Sequence, residues 1–174
     1  MEVFSYENNT NSMDIHPEKI NLLVVDDHVI IRRGLKFFLD SHFGIRSFHE
    51  ADTCIAVREM AVSFEISHII LDLQLNDGNS VEIITELLEQ LPDLKILVYT
   101  MSPEEVFKSR LLKMGVTGFL NKQMDEQTVV STMAAFLSGS LQNTELNINN
   151  DQNQARERVR LGIDVDIAEG VAAG

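Results

Sequence analysis

Cysteine and basic residues are scarce in this 174-residue chain, and each scarcity narrows the class of protein. The single cysteine, Cys54, cannot form a disulfide within the chain, so the sequence favours a reducing compartment. The chain has 14 Lys and Arg residues against 27 Asp and Glu, a net charge of −13. A surface this acidic repels phosphate backbones and anionic lipids, so we expect no direct binding to nucleic acid or membranes.

Long hydrophobic runs are also lacking. No stretch approaches the roughly 20 apolar residues that a membrane-spanning helix needs. The first residues, Met1 to Phe4, lack the basic and apolar regions of a signal peptide. These features predict a cytoplasmic protein. The composition is 44% hydrophobic and 24% charged, as in globular domains, and a domain of this length needs no metal or disulfide in order to fold.

The composition divides the chain into four regions. Residues 1–19 are polar and turn-forming, and are predicted to be a leader. Residues 20–140 are predicted to form the single domain. Residues 141–154 are rich in Asn and Gln, which is typical of a linker. In the tail, 155–174, apolar residues at alternate positions are compatible with an edge strand, and an unstructured extension is equally compatible.

Within the predicted domain, short aliphatic runs alternate with stretches of helical spacing. The predicted strands are Ile20–Val25, Gly44–Ala51, Ser67–Asp72, Leu94–Thr100 and Val116–Asn121. The predicted helices are Val29–Leu39, Thr53–Phe64, Val81–Leu91, one that begins after Ser102, and Met124–Leu137. Asp52, Ser80 and Ser102 are the predicted N-caps of the second, third and fourth helices. Five strand–helix units in alternation predict an α/β fold, with an open parallel sheet covered on both faces.

Polar residues end four of the predicted strands. Asp26 and Asp27 follow the first strand, Asp72 ends the third, Thr100 ends the fourth, and Lys122 follows the fifth. Ligands of open α/β sheets bind at the carboxyl ends of the strands, so we expect these side chains to line one crevice. Three neighbouring carboxylates repel one another unless a cation lies among them, and hard oxygen ligands suit Mg²⁺.

The same crevice suits a phosphoryl group. Asp72, on the middle strand, is the candidate nucleophile, because carboxylates form covalent phosphoryl intermediates. Lys122 would contact one phosphoryl oxygen as a point charge, and Thr100 would hydrogen-bond another. A site of this kind is built from side chains and needs no glycine-rich loop.

Four segments carry a resemblance to a known family. They are Leu23–His28, Ile70–Gly78, Leu97–Thr100 and Gly118–Lys122. In this order and spacing they resemble the receiver domain of bacterial two-component response regulators, over residues 20–138. Asp26-Asp27-His28 followed by Arg33-Gly34-Leu35 is most similar to receivers of LuxR/NarL-type transcription regulators. The resemblance implies a flavodoxin-like, doubly wound, five-stranded parallel sheet with strand order 2-1-3-4-5.

The resemblance also implies roles for individual residues. Asp72 is the implied acceptor of a phosphoryl group from a sensor histidine kinase. Thr100 is the implied switch hydroxyl, Lys122 the phosphate contact and Phe119 the switch aromatic. The implied Mg²⁺ ligands are Asp26, Asp27, Asp72 and the backbone carbonyl of Gln74. Homodimerisation on phosphorylation and autodephosphorylation are implied too, which would make the chain a signalling switch rather than an enzyme acting on other substrates.

Three departures from the family pattern stand out. Asn76 occupies a position where many receivers have proline, which would loosen the turn after Asp72. Met101 follows the switch threonine where many receivers have a small residue, so access to the pocket is expected to be narrower. Residues 155–174 are too few for a helical DNA-binding domain. We therefore expect either a truncated receiver, with DNA-binding output in a longer parent chain, or a stand-alone receiver.

Several alternatives compete with the signalling interpretation. Each aspartate alone is equally compatible with a helix cap or a loop acid. A receiver-like module that binds partners without phosphate would need no intact site. An aspartate-nucleophile phosphatase is disfavoured, because Gln74 stands where the second acid of its Asp-x-Asp motif belongs. A flavodoxin is disfavoured by the acidic residues after the first strand. His28 is predicted to orient its loop rather than to bind a metal.

Overall fold

The computed structural model describes residues 14–102 and 104–141, which form five strands and five helices. The strands are β1 (Leu22–Val25), β2 (Phe48–Ala51), β3 (His68–Leu71), β4 (Lys95–Thr100) and β5 (Gly118–Asn121). The helices are α1 (Val29–Phe43), α2 (Cys54–Ser63), α3 (Ser80–Gln90), α4 (Glu104–Lys113) and α5 (Glu126–Ser138). The leader up to residue 13, the linker from residue 142 and the tail with its suggested edge strand lie outside the described residues.

All five strands are parallel and lie in the order β2-β1-β3-β4-β5. This order confirms the predicted flavodoxin-like, doubly wound sheet. Every residue of β1 and β3 is buried, as expected for interior parallel strands that helices cover on both faces. Their register pairs Val25 with Leu71, so the two strands end at the same level. The residues that follow them are therefore brought side by side.

Two hydrophobic clusters, one on each face of the sheet, hold the helices in place. On one face, α1 and α5 pack through residues such as Leu39 and Phe136. On the other face, α2, α3 and α4 pack through Val57, Ile84 and Leu111. All five of these side chains are fully buried. Burial of each stabilises the fold by about 1.5–3 kcal/mol before the entropy cost of ordering is subtracted.

Two helices begin with a different cap from the one predicted. Thr53, not Asp52, caps α2, because its side chain accepts a hydrogen bond from a first-turn N–H. Asn79, not Ser80, caps α3 in the same way. The Ser80 hydroxyl instead donates to the carbonyl of Leu73, 2.9 Å away. In each case two adjacent residues carry an oxygen suited to capping, and residue type alone does not separate them.

The edge strand β2 is shorter than predicted. The sequence predicts a strand from Gly44, but Gly44 ends α1 in the left-handed conformation, with φ of 67°. Its N–H donates to the carbonyl of Asp40, so the glycine belongs to the helix terminus. Glycine adopts this φ without a steric clash, which makes it the common residue at such an end. Strand pairing begins only at Phe48, opposite Leu22.

The end of the predicted leader contacts the core. Ile15 packs against the cluster beneath α1 and α5, and a single 3-10 turn, Pro17–Lys19, leads from there towards β1. The longest described helix, α1, has 15 residues. None of the helices within the described residues is long and apolar enough to cross a bilayer.

His68 is a buried polar side chain within β3. Its ring meets the ring of Phe136 edge-on, with 5.2 Å between the centroids, and its Nδ1 lies 2.8 Å from the hydroxyl of Ser67. Its Nε2 is buried and has no hydrogen-bond partner among the described residues. Burial, with a smaller contribution from the charge of Lys95, lowers the pKa of His68 from 6.5 to about 4.

We expect His68 to make the fold less stable in mild acid. Below pH 6.5 the unfolded chain binds a proton at this position, whereas the folded chain does so only near pH 4. Stability is therefore fully present above pH 6.5 and falls as the pH is lowered to about 4, by roughly 3 kcal/mol at most. Urea unfolding of the wild type and of His68→Leu at both ends of this range measures the effect. The wild type should lose more stability than the variant, and an equal loss in both would contradict the assignment.

Candidate functional site

Asp26 and Asp72 lie side by side at the carboxyl ends of β1 and β3. The N–H of Asp72 donates to the carbonyl of Val25 at 2.9 Å, and the N–H of Asp26 donates to the carbonyl of Ala51 at 3.2 Å. Each aspartate thus continues the sheet hydrogen bonding by one residue before the chain leaves the sheet. Both side chains are buried. Buried carboxylates are strongly destabilising unless a charge or hydrogen bonds compensate them.

Lys122 supplies that compensation. Its Nζ lies 2.5 Å from Oδ2 of Asp26 and 2.5 Å from Oδ2 of Asp72, and its side chain is only 8% exposed. The N–H of Lys122 donates to the carbonyl of Thr100, which holds the residue at the end of the sheet. Burial lowers the pKa of the Lys122 ammonium, but the hydrogen bonds and charges of the two aspartates outweigh it, so the pKa lies above its ordinary value. The ammonium therefore remains charged at neutral pH.

Asp27 completes the group of three carboxylates and is held by two neighbours. The side-chain amide of Asn76 donates to Oδ2 of Asp27. The Nδ1 atom of His28 lies 2.7 Å from Oδ1 of Asp27 and 3.1 Å from Oδ1 of Asp26. The N–H of His28 also donates to Oδ1 of Asp26 at 2.8 Å. His28 thus organises the loop after β1, and its imidazole lies directly at the acidic pair.

The donor chemistry of this corner fits a hard divalent cation. Ligand atoms of Asp26, Asp27 and His28 lie within 4.8 Å of one another. Oδ1 of Asp27 is buried and, apart from the contact with Nδ1 of His28 at 2.7 Å, has no hydrogen-bond partner among the described residues. Three carboxylates against one ammonium leave an excess of negative charge. Oxygen ligands of this kind suit Mg²⁺ better than softer transition metals.

The β3–α3 loop is tied to the rest of the site by Asp72 and by Asp77. The N–H of Gln74 donates to Oδ1 of Asp72 at 3.1 Å, which places that peptide beside the carboxylate. Both oxygens of Asp77 lie 2.9 Å from the N–H of Cys54 at the start of α2. This backbone hydrogen bond lowers the pKa of Asp77 below its ordinary value. A Cβ on Gly78 would lie 3.2 Å from the sulfur of Cys54, so the loop passes close to α2.

Thr100 is the last residue of β4, and Phe119 is the second residue of the neighbouring strand β5. Thr100 is fully buried, and its Oγ1 accepts a hydrogen bond from the N–H of Ser102 at 3.2 Å. Phe119 is also buried and packs into the cluster beneath α2, α3 and α4. Met101, the residue between Thr100 and Ser102, is half exposed. The two residues with implied switching roles are therefore inside the fold, and the methionine lies at the surface next to them.

The structure brings Asp26, Asp27, Asp72 and Lys122 together as the sequence predicts, with Thr100 at the end of the neighbouring strand. Two contributions were missed. From the sequence, Asn76 is only a position that lacks the usual proline, whereas in the structure its amide holds Asp27. His28 was expected to orient the loop, but its ring also contacts both acids. The sequence contains a signal for both residues, because each is a polar residue shortly after a parallel strand. Such residues are candidates for the crevice at the carboxyl ends of the strands.

Comparisons with known proteins give one consistent result. A model of the response regulator receiver domain family matches residues 22–134. The chain is 25% identical over 125 residues to the transcriptional regulatory protein DegU of Brevibacillus brevis, covering 72% of this chain and 53% of the relative. It therefore spans about half the length of the curated relatives that it matches.

Solved structures share the fold. A LuxR-family two-component response regulator from Aurantimonas superposes with a TM-score of 0.63 at 22% identity, covering 79% of this chain and 96% of that one. A response regulator protein from Burkholderia pseudomallei has a TM-score of 0.58 at 23% identity, covering 81% of this chain and 74% of that one. The Burkholderia crystal structure contains a phosphorylated aspartic acid and a calcium ion.

We expect replacement of Lys122 by methionine to destabilise the fold. Lys122→Met keeps a long side chain but leaves Asp26 and Asp72 buried without their shared cation, at a cost of about 3 kcal/mol in the free energy of unfolding. Urea unfolding at neutral pH without divalent cations measures it. Lys113→Met, at an exposed position of α4, is the matched control and should cost little. Similar losses in the two variants would show that the ammonium is not the compensating charge.

Proposed function

Because the chain belongs to the response regulator receiver family, we propose that it accepts a phosphoryl group on Asp72 from a sensor histidine kinase and relays the signal by changing conformation. One observation carries the proposal. The Lys122 ammonium joins Asp26 and Asp72 at 2.5 Å each, within a group that also has an excess of carboxylates. Such a site offers a nucleophile, a fixed cation and oxygen ligands for a metal in one place.

Asp72 is the best-placed acceptor of the three acids. It follows β3, the middle strand, where the N–H of Gln74 and the ammonium of Lys122 each hold one of its oxygens. In the transfer, a carboxylate oxygen of Asp72 forms a bond to phosphorus while the bond from phosphorus to a histidine nitrogen of the kinase breaks. The electron pair of the broken bond returns to the imidazole. Lys122 then contacts a phosphoryl oxygen and offsets its charge.

Asp26, Asp27, Asp72 and the backbone carbonyl of Gln74 are the groups that would hold Mg²⁺. The ion would neutralise the negative charge of the incoming phosphoryl oxygens. The chain's own residues set up this binding. Asn76 and His28 hold Asp27 and Asp26 in place, and the buried Oδ1 of Asp27, which Nδ1 of His28 contacts at 2.7 Å, would bind the cation.

Thr100 and Phe119 are the proposed switching residues. A phosphoryl group on Asp72 adds about −1.5 to −2 charges and strong hydrogen-bond acceptors. Oγ1 of Thr100 accepts the hydrogen bond from the N–H of Ser102, and the hydroxyl hydrogen of Thr100 would be donated to a phosphoryl oxygen. A small shift of β4 would be passed to Phe119 on β5, which is buried against the neighbouring cluster. A change at the surface of α4, β5 and α5 would alter affinity for a partner, with homodimerisation as the expected outcome.

Output through DNA is proposed for a longer chain and not for the described residues. The relative DegU is named a transcriptional regulatory protein, and this chain covers 53% of it. The net charge of −13 opposes direct contact with nucleic acid. The proposed role of this domain is therefore to control a partner, or a DNA-binding segment of a longer chain, rather than to contact DNA itself.

We expect one phosphoryl group to be added to the protein by a small acyl phosphate in the presence of Mg²⁺. Intact-mass spectrometry measures the adduct. Asp72→Asn should abolish it, because the amide is a poor nucleophile, and a chelator should prevent it. Asp93→Asn, at an exposed position outside the site, is the matched control and should be modified like the wild type.

The opposite result would favour a different function. A folded wild type that gains no adduct, beside another receiver that does, would contradict phosphoryl acceptance by Asp72. It would favour the module that binds partners without phosphate. Adduct formation in Asp72→Asn would place the acceptor elsewhere.

We expect Asn76→Ala to weaken Mg²⁺ binding about tenfold, because the hydrogen bond from the Asn76 amide to Asp27 fixes the orientation of a carboxylate that would bind the metal. Calorimetric titration with Mg²⁺ alone, without any phosphoryl donor, measures the affinity. Gln90→Ala, at an exposed position at the end of α3, is the control. An unchanged affinity in Asn76→Ala would show that the amide does not position Asp27 for the metal.

A further inference from the structure

Two exposed faces of opposite charge flank the β2 edge of the sheet. The first, here called the basic face, consists of Arg33, Lys36 and Phe37 on α1 and Arg46 just before β2. These side chains line an open groove that also contains Phe48. The ring of Phe37 is 76% exposed, and Nζ of Lys36 lies 5.4 Å from the centre of the Phe48 ring. The face therefore combines accessible aromatic surface with a concentration of positive charge.

The cations of the basic face form no ion pairs within the described part of the chain. Among residues 14–102 and 104–141, no carboxylate forms an ion pair with Arg33, Lys36 or Arg46. Asp40 is the only acidic side chain among those that line the groove. The chain as a whole is acidic, with 27 acidic residues and 14 basic ones. The three cations around this groove, against one carboxylate, make the region locally basic. Such a patch attracts an acidic surface.

The second face, here called the acidic face, consists of Ile55, Glu59 and Val62 on α2, with Asp52 in the loop just before the helix cap. The spacing of four and three residues between the helical members places Ile55, Glu59 and Val62 along one side of α2. Ile55 is 63% exposed and Val62 is 58% exposed, with Glu59 exposed between them. The one cation of α2, Arg58, already pairs with Glu86 of α3 at 2.7 Å. This face is therefore both apolar and acidic.

The two faces complement each other but cannot meet within one molecule. α1 packs on one face of the sheet and α2 on the opposite face, so the sheet separates them. We propose that the basic face of one copy of this chain binds the acidic face of a second copy. Apolar side chains on each face would be buried, while Glu59 and Asp52 meet the cations of the partner copy.

This self-association differs from the homodimerisation proposed for the phosphorylated form. It uses α1, the start of β2 and α2, whereas the switching surface lies on α4, β5 and α5. None of its residues belongs to the site around Asp72. It is therefore expected without phosphorylation. An anionic lipid or nucleic acid would match the basic face alone and would leave the exposed apolar residues of the acidic face unexplained.

Charge reversal tests the proposal. Sedimentation equilibrium of the unphosphorylated wild type, from about 10 μM to about 500 μM, should show an average mass that rises above the 19.6 kDa of the monomer. Two variants should each raise the dissociation constant about tenfold or more. The first, Arg33→Glu/Arg46→Glu, reverses the basic face, and the second, Glu59→Arg, reverses the acidic face.

A mixture of the two variants gives the decisive result. Each reversed face then has an oppositely charged face on the other variant, so the mixture should associate more tightly than either variant alone. Arg110→Glu/Lys113→Glu and Glu89→Arg make the same charge changes at exposed positions of α4 and α3, and should behave like the wild type. The proposal is overturned if the wild type stays monomeric, if the controls lose association equally, or if the mixture stays monomeric.

Discussion

The ion triad of Asp26, Lys122 and Asp72 is the interaction on which the arrangement of the site depends. Two buried carboxylates lie at the carboxyl ends of β1 and β3, and one ammonium compensates the charge of both. The ammonium reaches them from the end of β5, across β4. The strands must therefore end at matching levels, which the parallel register provides. A displacement of any of these strands would separate buried charges from their counterion.

Around the triad, the loops are held by contacts between elements as well as by hydrogen bonds of their own, such as the one from the N–H of Gln74 to Asp72. Asn76 joins the loop after β3 to Asp27 in the loop after β1. Asp77 joins the same loop to the start of α2. These contacts give the proposed metal ligands fixed positions. The hydroxyl of Thr100, by contrast, accepts a bond from the backbone N–H of Ser102 and has a hydrogen that it would donate to a phosphoryl oxygen. The site thus combines a rigid part that would bind with a hydroxyl that would move.

The sequence predicted the fold well because the physical signals were strong. Aliphatic runs followed by aspartate are typical of buried parallel strands that end at a ligand-binding edge, and the helical stretches between them leave few alternatives. Side chains that act through a neighbour were harder to predict. Thr53 and Asp52 are both suited to capping α2, and only the backbone conformation decides between them. The bond from Asn76 to Asp27 joins residues 49 positions apart, and its formation depends on loop geometry that no local pattern contains.

The reach of Lys122 also has a consequence for how the chain acquires its site during synthesis. The bonds from its ammonium span 96 residues to Asp26 and 50 residues to Asp72. A nascent chain that has emerged only as far as β4 holds both carboxylates but lacks the ammonium that makes their burial tolerable. We therefore expect the carboxyl end of the sheet to close only after β5 has left the ribosome, because the two aspartates favour a hydrated sheet end until the ammonium of Lys122 is available.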